Sequence, residues 1–335
     1  MPRIPGGRVG HDELVAALRA AGETTRLRIL ALLADADLTV KDFTTILGQS
    51  QPRISRHLKL LAEAGLVSRS AEGAFAFYRL AEAPDGSRLA DPILDQLDPA
   101  DPVHARDRER RAATRAAKAE AAAHYFAANA QVWDRIRSMH APEGEVEAKI
   151  RELLGARRIG SLLDVGTGTG RMLEVMADRA ERLLGIDASA AMLGVARANL
   201  AKAGIRNARV AQDDVYALSL DPDSFDAVII HQVLHYLDDP ARAVAEAART
   251  LRPGGRLLVV DFAPHALEQL RTEAQHRRLG IGRIEMADWL RAAGLETREV
   301  TDLTGDDSKL TVTLWLAQDP RIITDETRTK EGAFA

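Results

Sequence analysis

The chain has 335 residues, 46% hydrophobic and 28% charged, which suits two globular domains better than one. Lys plus Arg number 45 against 49 Asp plus Glu, a net charge of -4, so a globally basic nucleic-acid binder is excluded and any basic patch must be local. With no cysteine there is no disulfide framework, thiolate metal site or cysteine nucleophile.

Met1 to Gly10 holds three glycines and two prolines and reads as a loose arm, residues 1–12. It lacks the apolar run of a signal peptide, and nowhere do about 18 apolar residues follow one another, so a cytoplasmic protein with no membrane partner is expected. Thr24 to Leu33 (TTRLRILALL) carries Leu27, Leu30 and Ala31 on one side at helical spacing, widened by Ile29, Leu32 and Leu33. Leu38 to Leu47 reads as a second helix with Thr39 placed to cap it and Gly48 at its end. Ser50-Gln51-Pro52 opens a third, Gln51 to Ala64, where proline is tolerated in the first turn. Helix, glycine-containing turn, helix is the basic shape of a DNA reader.

On the third helix Ile54, Leu58 and Leu61 share one face. Pro52, Arg56 and Lys59 lie opposite, flanked by Arg53 and Ser55, and no acid stands between Phe43 and Ala62. Arginine forks onto guanine, glutamine onto adenine, and serine and lysine anchor phosphates. Gln51, Arg53, Ser55, Arg56 and Lys59 are therefore the candidate DNA contacts. Leu66 to Ser70 and Ala74 to Leu80, joined around Glu72-Gly73, read as the two strands of a wing. SQPRISRHLKLLAEAGLVSRS with the hairpin ending FYRL resembles the ArsR-type winged helix of bacterial repressors over about Glu13 to Leu80. The resemblance implies a homodimer on double-stranded operator DNA, with recognition helices about 34 Å apart. The second helix, LTVKDF, lacks the cysteine pair of the family's metal sensors, which removes thiolate sensing. A winged helix used only for protein contacts is the other reading.

A Pro/Asp-rich stretch and then an Ala/Arg-rich one (ARDRERRAATRAAKAEAAAHYF) follow, a strong helix former by propensity. From Ile150 short apolar strands alternate with amphipathic helices, which argues for a parallel α/β sheet. Ser161 to Val165 is a strand, Gly166 to Gly170 a glycine turn, Arg171 to Arg179 a helix, and Leu183 to Ile186 a strand ending in Asp187. That is the opening unit of a Rossmann-like fold, with the acid placed for ribose hydroxyls. A dinucleotide loop would read G-x-G-x-x-G and put its third glycine where Arg171 stands.

Asp164-Val-Gly-Thr-Gly-Thr-Gly instead resembles motif I of class I S-adenosylmethionine (SAM)-dependent methyltransferases. The similarity extends through Asp187-Ala188 and Met192, Gln212-Asp213-Asp214-Val215, Phe225 to Leu237, and Leu251 to Asp261, about Ile150 to Gln318 in all. It implies SAM or S-adenosylhomocysteine as cofactor and a seven-stranded sheet. Asp164 would face the ammonium end, Gly166, Thr167, Gly168 and Gly170 the turn, and Asp187 the ribose. Met192 would lie near the adenine, Ala188 and Val215 would be further cofactor contacts, and Asp214, or Asp213, would take the adenine amino group. His231, Tyr125 and Trp133 complete the cofactor set, the last two as walls of a lid or as a mere staple of the linker helix. Leu310 to Ala317 reads as an edge-type strand, the antiparallel seventh of the family.

His231, His235 and Tyr236, at the end of the fourth strand, are the candidates for a base if the nucleophile must lose a proton. The His231/His235 spacing has no third ligand fixed beside it, so no metal is expected. Two uses are open for Gln275 to Gly280, a basic pair for an anionic substrate or a solvated surface, ahead of a helix from Glu285 to Ala293. HQVLHY lacks the signature of amino-methylating DNA enzymes, and the cytosine C5 route needs a cysteine.

The expected chain is therefore α/β overall. A winged helix spans 13–90, a helical linker and cofactor lid 91–149, a Rossmann-like methyltransferase domain 150–318, and a tail 319–335. Two functions are open: a regulator fused to an enzyme acting on a small molecule, or a regulator that senses SAM or its product without turnover.

Overall fold

The computed structural model describes residues 9–34, 38–72, 75–81, 89–130, 143–304 and 310–321. It divides into two compact units, one ending at Ala121 and the other beginning at Ala122. The boundary falls inside the segment expected to be a linker.

The N-terminal unit holds α1 (His11–Ala21), α2 (Thr24–Leu33), β1 (Leu38–Thr39), α3 (Val40–Leu47), α4 (Gln51–Glu63), β2 (Val67–Glu72), β3 (Phe75–Leu80), α5 (Asp91–Leu94) and the first part of α6 (Pro102–Asn129). Its core joins Ile29, Leu30, Phe43, Ile46, Ile54, Leu58 and Leu61, all without solvent exposure. The expected second helix begins later than its apolar pattern. Leu38 and Thr39 pair with Tyr78 and Phe77 as a two-residue strand, and Thr39 then caps α3 in a reciprocal box with Asp42. Gly48 ends α3 at φ +65, the left-handed conformation that only glycine adopts cheaply. Gly73, the middle of the expected wing turn, lies outside the described residues, as do residues 1–8 of the arm and 322–335 of the tail.

The C-terminal unit contains α7 (Glu143–Leu153), β4 (Ile159–Val165), α8 (Arg171–Met176), β5 (Ala180–Asp187), α9 (Ala190–Lys202), β6 (Ala208–Gln212) and β7 (Phe225–His231). After β7 come a 3-10 turn (Leu234–Tyr236), α10 (Pro240–Arg249), β8 (Leu251–Phe262), α11 (Gln269–Glu273), α12 (Arg283–Ala292), β9 (Glu296–Leu303) and β10 (Val312–Gln318). The sheet order is β6-β5-β4-β7-β8-β10-β9. The β4, β5, β6, β7 and β8 pairings are parallel, and β10 runs antiparallel to both β8 and β9. Alternate side chains feed two cores, as a period of 2 requires. Leu163, Val165, Val228, Ile230, Val259 and Trp315 enter one, and Leu162, Ala227, Ile229, Leu258, Val260 and Leu314 the other.

One expectation is corrected here. β10 is not an edge strand: it is buried on both faces and paired on both sides, and β9, a polar and mostly exposed segment, takes the edge. Charged side chains on such an edge discourage further strand pairing. No described helix is long and apolar enough to cross a membrane.

Candidate functional site

In the N-terminal unit, α4 presents its polar side chains outward. Ile54, Leu58 and Leu61 are fully buried, while Gln51, Arg53, Ser55, Arg56 and Lys59 are all exposed. Lys59 makes only a loose ion pair with Glu63, 3.8 Å, with both side chains solvated. His57 sits half-buried between the two faces, 3.5 Å from Glu23. Burial lowers its pKa, and Arg26, Arg53 and Arg56 add to that against the pull of Glu23. The helix therefore keeps a cationic, solvent-facing side.

In the C-terminal unit, β4 and β7 are neighbours in the sheet but not in sequence, so the chain reverses its winding between them. Ligands of open α/β sheets sit at that crevice, beyond the strand ends. Val165, Ile186 and Ile230 stand in register there, and the turn Gly166–Gly170 leaves β4. Gly166, Gly168 and Gly170 have φ of 73, 53 and 85. A Cβ on Gly166 would lie 2.4 Å from Val233 Cγ2. The Gly166 and Thr167 N–H groups donate to the Ile186 carbonyl, both at 2.8 Å, which folds the turn over the end of β5.

Asp187 closes the arrangement. Its Oδ2 accepts from Gly168 N–H at 2.9 Å and its Oδ1 from Ser189 N–H at 2.8 Å. Burial pushes its pKa up, and those two N–H bonds pull the other way. Asp164 is buried at the end of β4, Met192 in the first turn of α9, and Ala188 is exposed between them in sequence. Asp213 spends its carboxylate locally, accepting from Asp214 N–H and from Ser219 N–H and Oγ–H. Asp214 is exposed and accepts one bond, from Tyr216 N–H, with Val215 half-buried beside it. Arg171 holds Glu147 of α7 through two 2.7 Å bonds, so the place of a third dinucleotide glycine is filled by a committed ion pair.

At the end of β7, His231 is buried, and Gln232 follows with φ +54 and its N–H bonded to the Val260 carbonyl. His235 is 1% exposed, and its Nδ1 lies 2.6 Å from Asp261 Oδ1. Tyr236 stacks at a tilt on His235 and meets Phe126, at the end of α6, edge-on with ring centroids 5.0 Å apart. Of the two aromatics expected in the lid, Tyr125 lies in α6 without a described side chain and Trp133 lies outside the described residues; Phe126 is the member of that segment seen to reach Tyr236.

Neither use expected for Gln275 to Gly280 survives. His276 is buried against His235, Arg277 pairs with Asp238, and Arg278, also buried, pairs with Glu285 and lies over Trp289. These cations are tied down inside the unit, so they form neither a solvated surface nor an open anion clamp. Among the described residues no group of His, Cys, Asp and Glu is arranged to hold a metal.

A strand, a left-handed glycine turn and an acid capturing that turn, set at the switch point of this sheet order, define a nucleoside-binding domain of the class I methyltransferase type. Comparison with known proteins agrees. The model "Methyltransferase domain" matches residues 163–259, and "Bacterial regulatory protein, arsR family" matches residues 23–69. The ubiquinone biosynthesis O-methyltransferase of Thiobacillus denitrificans is 35% identical over 158 residues, 43% of this chain and 67% of that one. The protein of the same name from Saccharophagus degradans is 31% identical over 156 residues, 43% of this chain and 66% of that one. The chain thus spans about two-thirds of the length of these curated relatives. The solved YcgJ protein of Bacillus subtilis is 20% identical with a TM-score of 0.45, covering 53% of this chain and 98% of that one. The chain belongs to the SAM-dependent methyltransferases and carries an ArsR-family regulatory domain ahead of the methyltransferase domain.

Proposed function

We propose that the protein is a DNA-binding transcriptional regulator whose C-terminal unit transfers a methyl group from SAM to a small molecule. One observation carries the reading: Asp187, at the end of β5, is held by the Gly168 and Ser189 N–H groups beside a turn in which three of five residues are glycine. The residues fit SAM. Three left-handed glycines let the backbone turn sharply at the end of β4, and Thr167 Oγ1 is buried with no hydrogen-bond partner among the described residues. When bound, SAM supplies an activated methyl on a sulfonium.

In this reading Asp187 takes the ribose hydroxyls and Asp164 faces the ammonium end. Ala188 and Val215 are further cofactor contacts, and Met192 packs near the adenine. Asp214 takes its amino group in preference to Asp213, whose oxygens are already used. Gly166, Thr167, Gly168 and Gly170 form the turn, and His231, Tyr125 and Trp133 close the crevice. The protein's main work is alignment and exclusion of water, which supply about 7–11 kcal/mol in a displacement of this kind. His231, His235 and Tyr236 are the groups available to take a proton from the acceptor.

Gln51, Arg53, Ser55, Arg56 and Lys59 contact operator DNA, with two copies of the chain on the two halves of a palindrome in the cytoplasm. The exposed cationic side of α4 supports this. A second reading, sensing of SAM or S-adenosylhomocysteine without turnover, shares the cofactor residues but needs no acceptor site. Binding calorimetry with SAM, together with turnover on pooled metabolites and a DNA titration with and without SAM, tests both. Failure to bind SAM refutes the cofactor assignment. SAM-dependent DNA affinity without turnover favours the sensor.

A further inference from the structure

The N-terminal unit has a cleft of its own, between α2, α5 and the first turns of α6, with a volume of about 190 Å³. A cavity of about 150 Å³ already holds benzene, so a molecule of one ring fits. Ala31 and Leu32 of α2, Leu94 of α5, and Leu97 and Pro99 after it make an apolar wall. Arg28, His104 and Arg108 stand at the polar end. Arg28 spends Nε and Nη2 on the two oxygens of buried Asp107, both at 2.6 Å, and keeps its Nη1 donors. Arg108 donates to the Pro99 carbonyl, which holds its guanidinium at the same rim. His104 is half-buried in the first turn of α6. Acceptors are scarcer. Asp107 has both oxygens filled, and Asp98 is exposed and accepts from the Ala100 N–H at 2.8 Å.

The cleft and the exposed helix α4 share α2. Arg28, Ala31 and Leu32 line the cleft, while Ile29, Leu30 and Leu33 join Ile54, Leu58 and Leu61 of α4 in one core, to which Leu32 also belongs. A ligand wedged against α2 therefore bears on the helix that supports α4. We propose that this cleft is an effector site for a small carboxylic acid with an apolar body, about the size of benzoate, and that its occupancy changes the affinity of α4 for DNA. The carboxylate takes N–H bonds from Arg28 Nη1, Arg108 and His104, in the planar recognition that guanidinium groups suit. The apolar body covers Leu32, Leu94 and Leu97. The DNA half of the proposal rests on the regulator reading above, and the binding half does not. The cleft is separate from the SAM crevice, since all its residues belong to the unit that ends at Ala121.

Calorimetry on the full chain with benzoate, benzamide and benzylamine reads the ligand class. Benzoate is expected to bind about tenfold or more tighter than either, as hydrogen bonds to a charged group require. Equal binding of benzamide, a preference for benzylamine, or no binding of benzoate overturns the assignment. Methyl NMR of the wild type reads the place. Benzoate should shift Leu32, Leu94 and Leu97 and leave Leu162 and Leu163 of β4 unmoved, and the reverse pattern overturns the site. Ala31→Phe fills the cleft and should weaken benzoate roughly tenfold or more. Unchanged benzoate affinity in the folded variant overturns the site, and should the variant unfold, the wild-type NMR decides alone. DNA titrations with and without saturating benzoate should differ in affinity by about 5–150-fold, the common range of such coupling. Identical titrations overturn the effector role. A wild type that binds no DNA in either condition refutes the regulator reading instead, and the calorimetry and NMR still decide the cleft.

Discussion

Arg28 of α2 and Asp107 of α6 form a bidentate pair within the N-terminal unit, Nε to Oδ2 and Nη2 to Oδ1, both at 2.6 Å. The hydrogen bonds raise the pKa of Arg28 above its ordinary value. The Asp107 side chain is 3% exposed and that of Arg28 18%, so the carboxylate is cut off from water and the guanidinium only partly so. Removing one member strands the other, which costs 3–5 kcal/mol for a fully buried pair. Asp107→Ala is expected to lower the unfolding free energy by about 3 kcal/mol, the lower end, because water reaches Arg28. Urea denaturation of the full chain measures it. Adding Arg28→Met should recover much of the loss, and a change below about 0.5 kcal/mol in the single variant would mean that solvent does the pairing.

Gly166 offers a sharper test of the glycine turn. Its φ is +73 and an added Cβ would meet Val233 Cγ2 at 2.4 Å. Two costs combine: a left-handed backbone that L side chains resist, about 1–2 kcal/mol, and an overpacked contact, typically about 1–3 kcal/mol. Gly166→Ala should therefore melt lower and bind SAM at least tenfold more weakly in calorimetry. The double variant with Val233→Ala should regain the steric share and keep the backbone share. Full recovery by Val233→Ala would leave no conformational role for glycine.

What the sequence made legible in these sites is what is local. The buried stripe of α4 and the left-handed turn after β4 follow from spacing and residue type within about a dozen positions. Asp261 does not. It is 26 residues from His235, and the two meet only because β7 and β8 pair in a register that sets His231 opposite Val260. The same holds for Leu38 and Thr39, whose partners are on β3, and for β10, whose interior place depends on a polar strand with no apolar alternation to announce it. The cations at 277 and 278 looked solvated because sequence shows their charge and hides the acids, Asp238 and Glu285, that neutralise them.

Asp187 ties stability to pH in a direction opposite to that of most paired carboxylates. Its folded pKa is raised by burial, so its contribution to stability is present below the unfolded pKa and is lost as pH rises through the higher folded value. The stability margin of wild type over Asp187→Ala is expected to shrink as pH climbs out of the acid range, read by denaturant titration at each pH. At neutral pH the same variant should lose about 1.5–3 kcal/mol of SAM binding for each ribose hydrogen bond to the charged acceptor. A margin that instead widens with pH would mean that the Gly168 and Ser189 N–H groups outweigh burial.

The exposed side of α4 makes its own prediction in the DNA-binding titration. Arg56 and Lys59 are both solvent-facing, on the side away from Ile54 and Leu58, and Lys59 is held only by a distant Glu63. Each phosphate contact releases condensed counterions and adds about 0.9 to the slope of log affinity against log salt. If both residues grip phosphates, Arg56→Ala with Lys59→Ala should flatten that slope by roughly 2 while leaving sequence preference intact. If Arg56 instead forks onto a guanine edge, the slope falls by about 1 and discrimination at one base pair relaxes by about 1–3 kcal/mol. Neither change should disturb folding, because both side chains lie outside the core, so an unaltered melting curve is the control. An unchanged affinity and slope in the doubly substituted protein would remove α4 from the DNA interface.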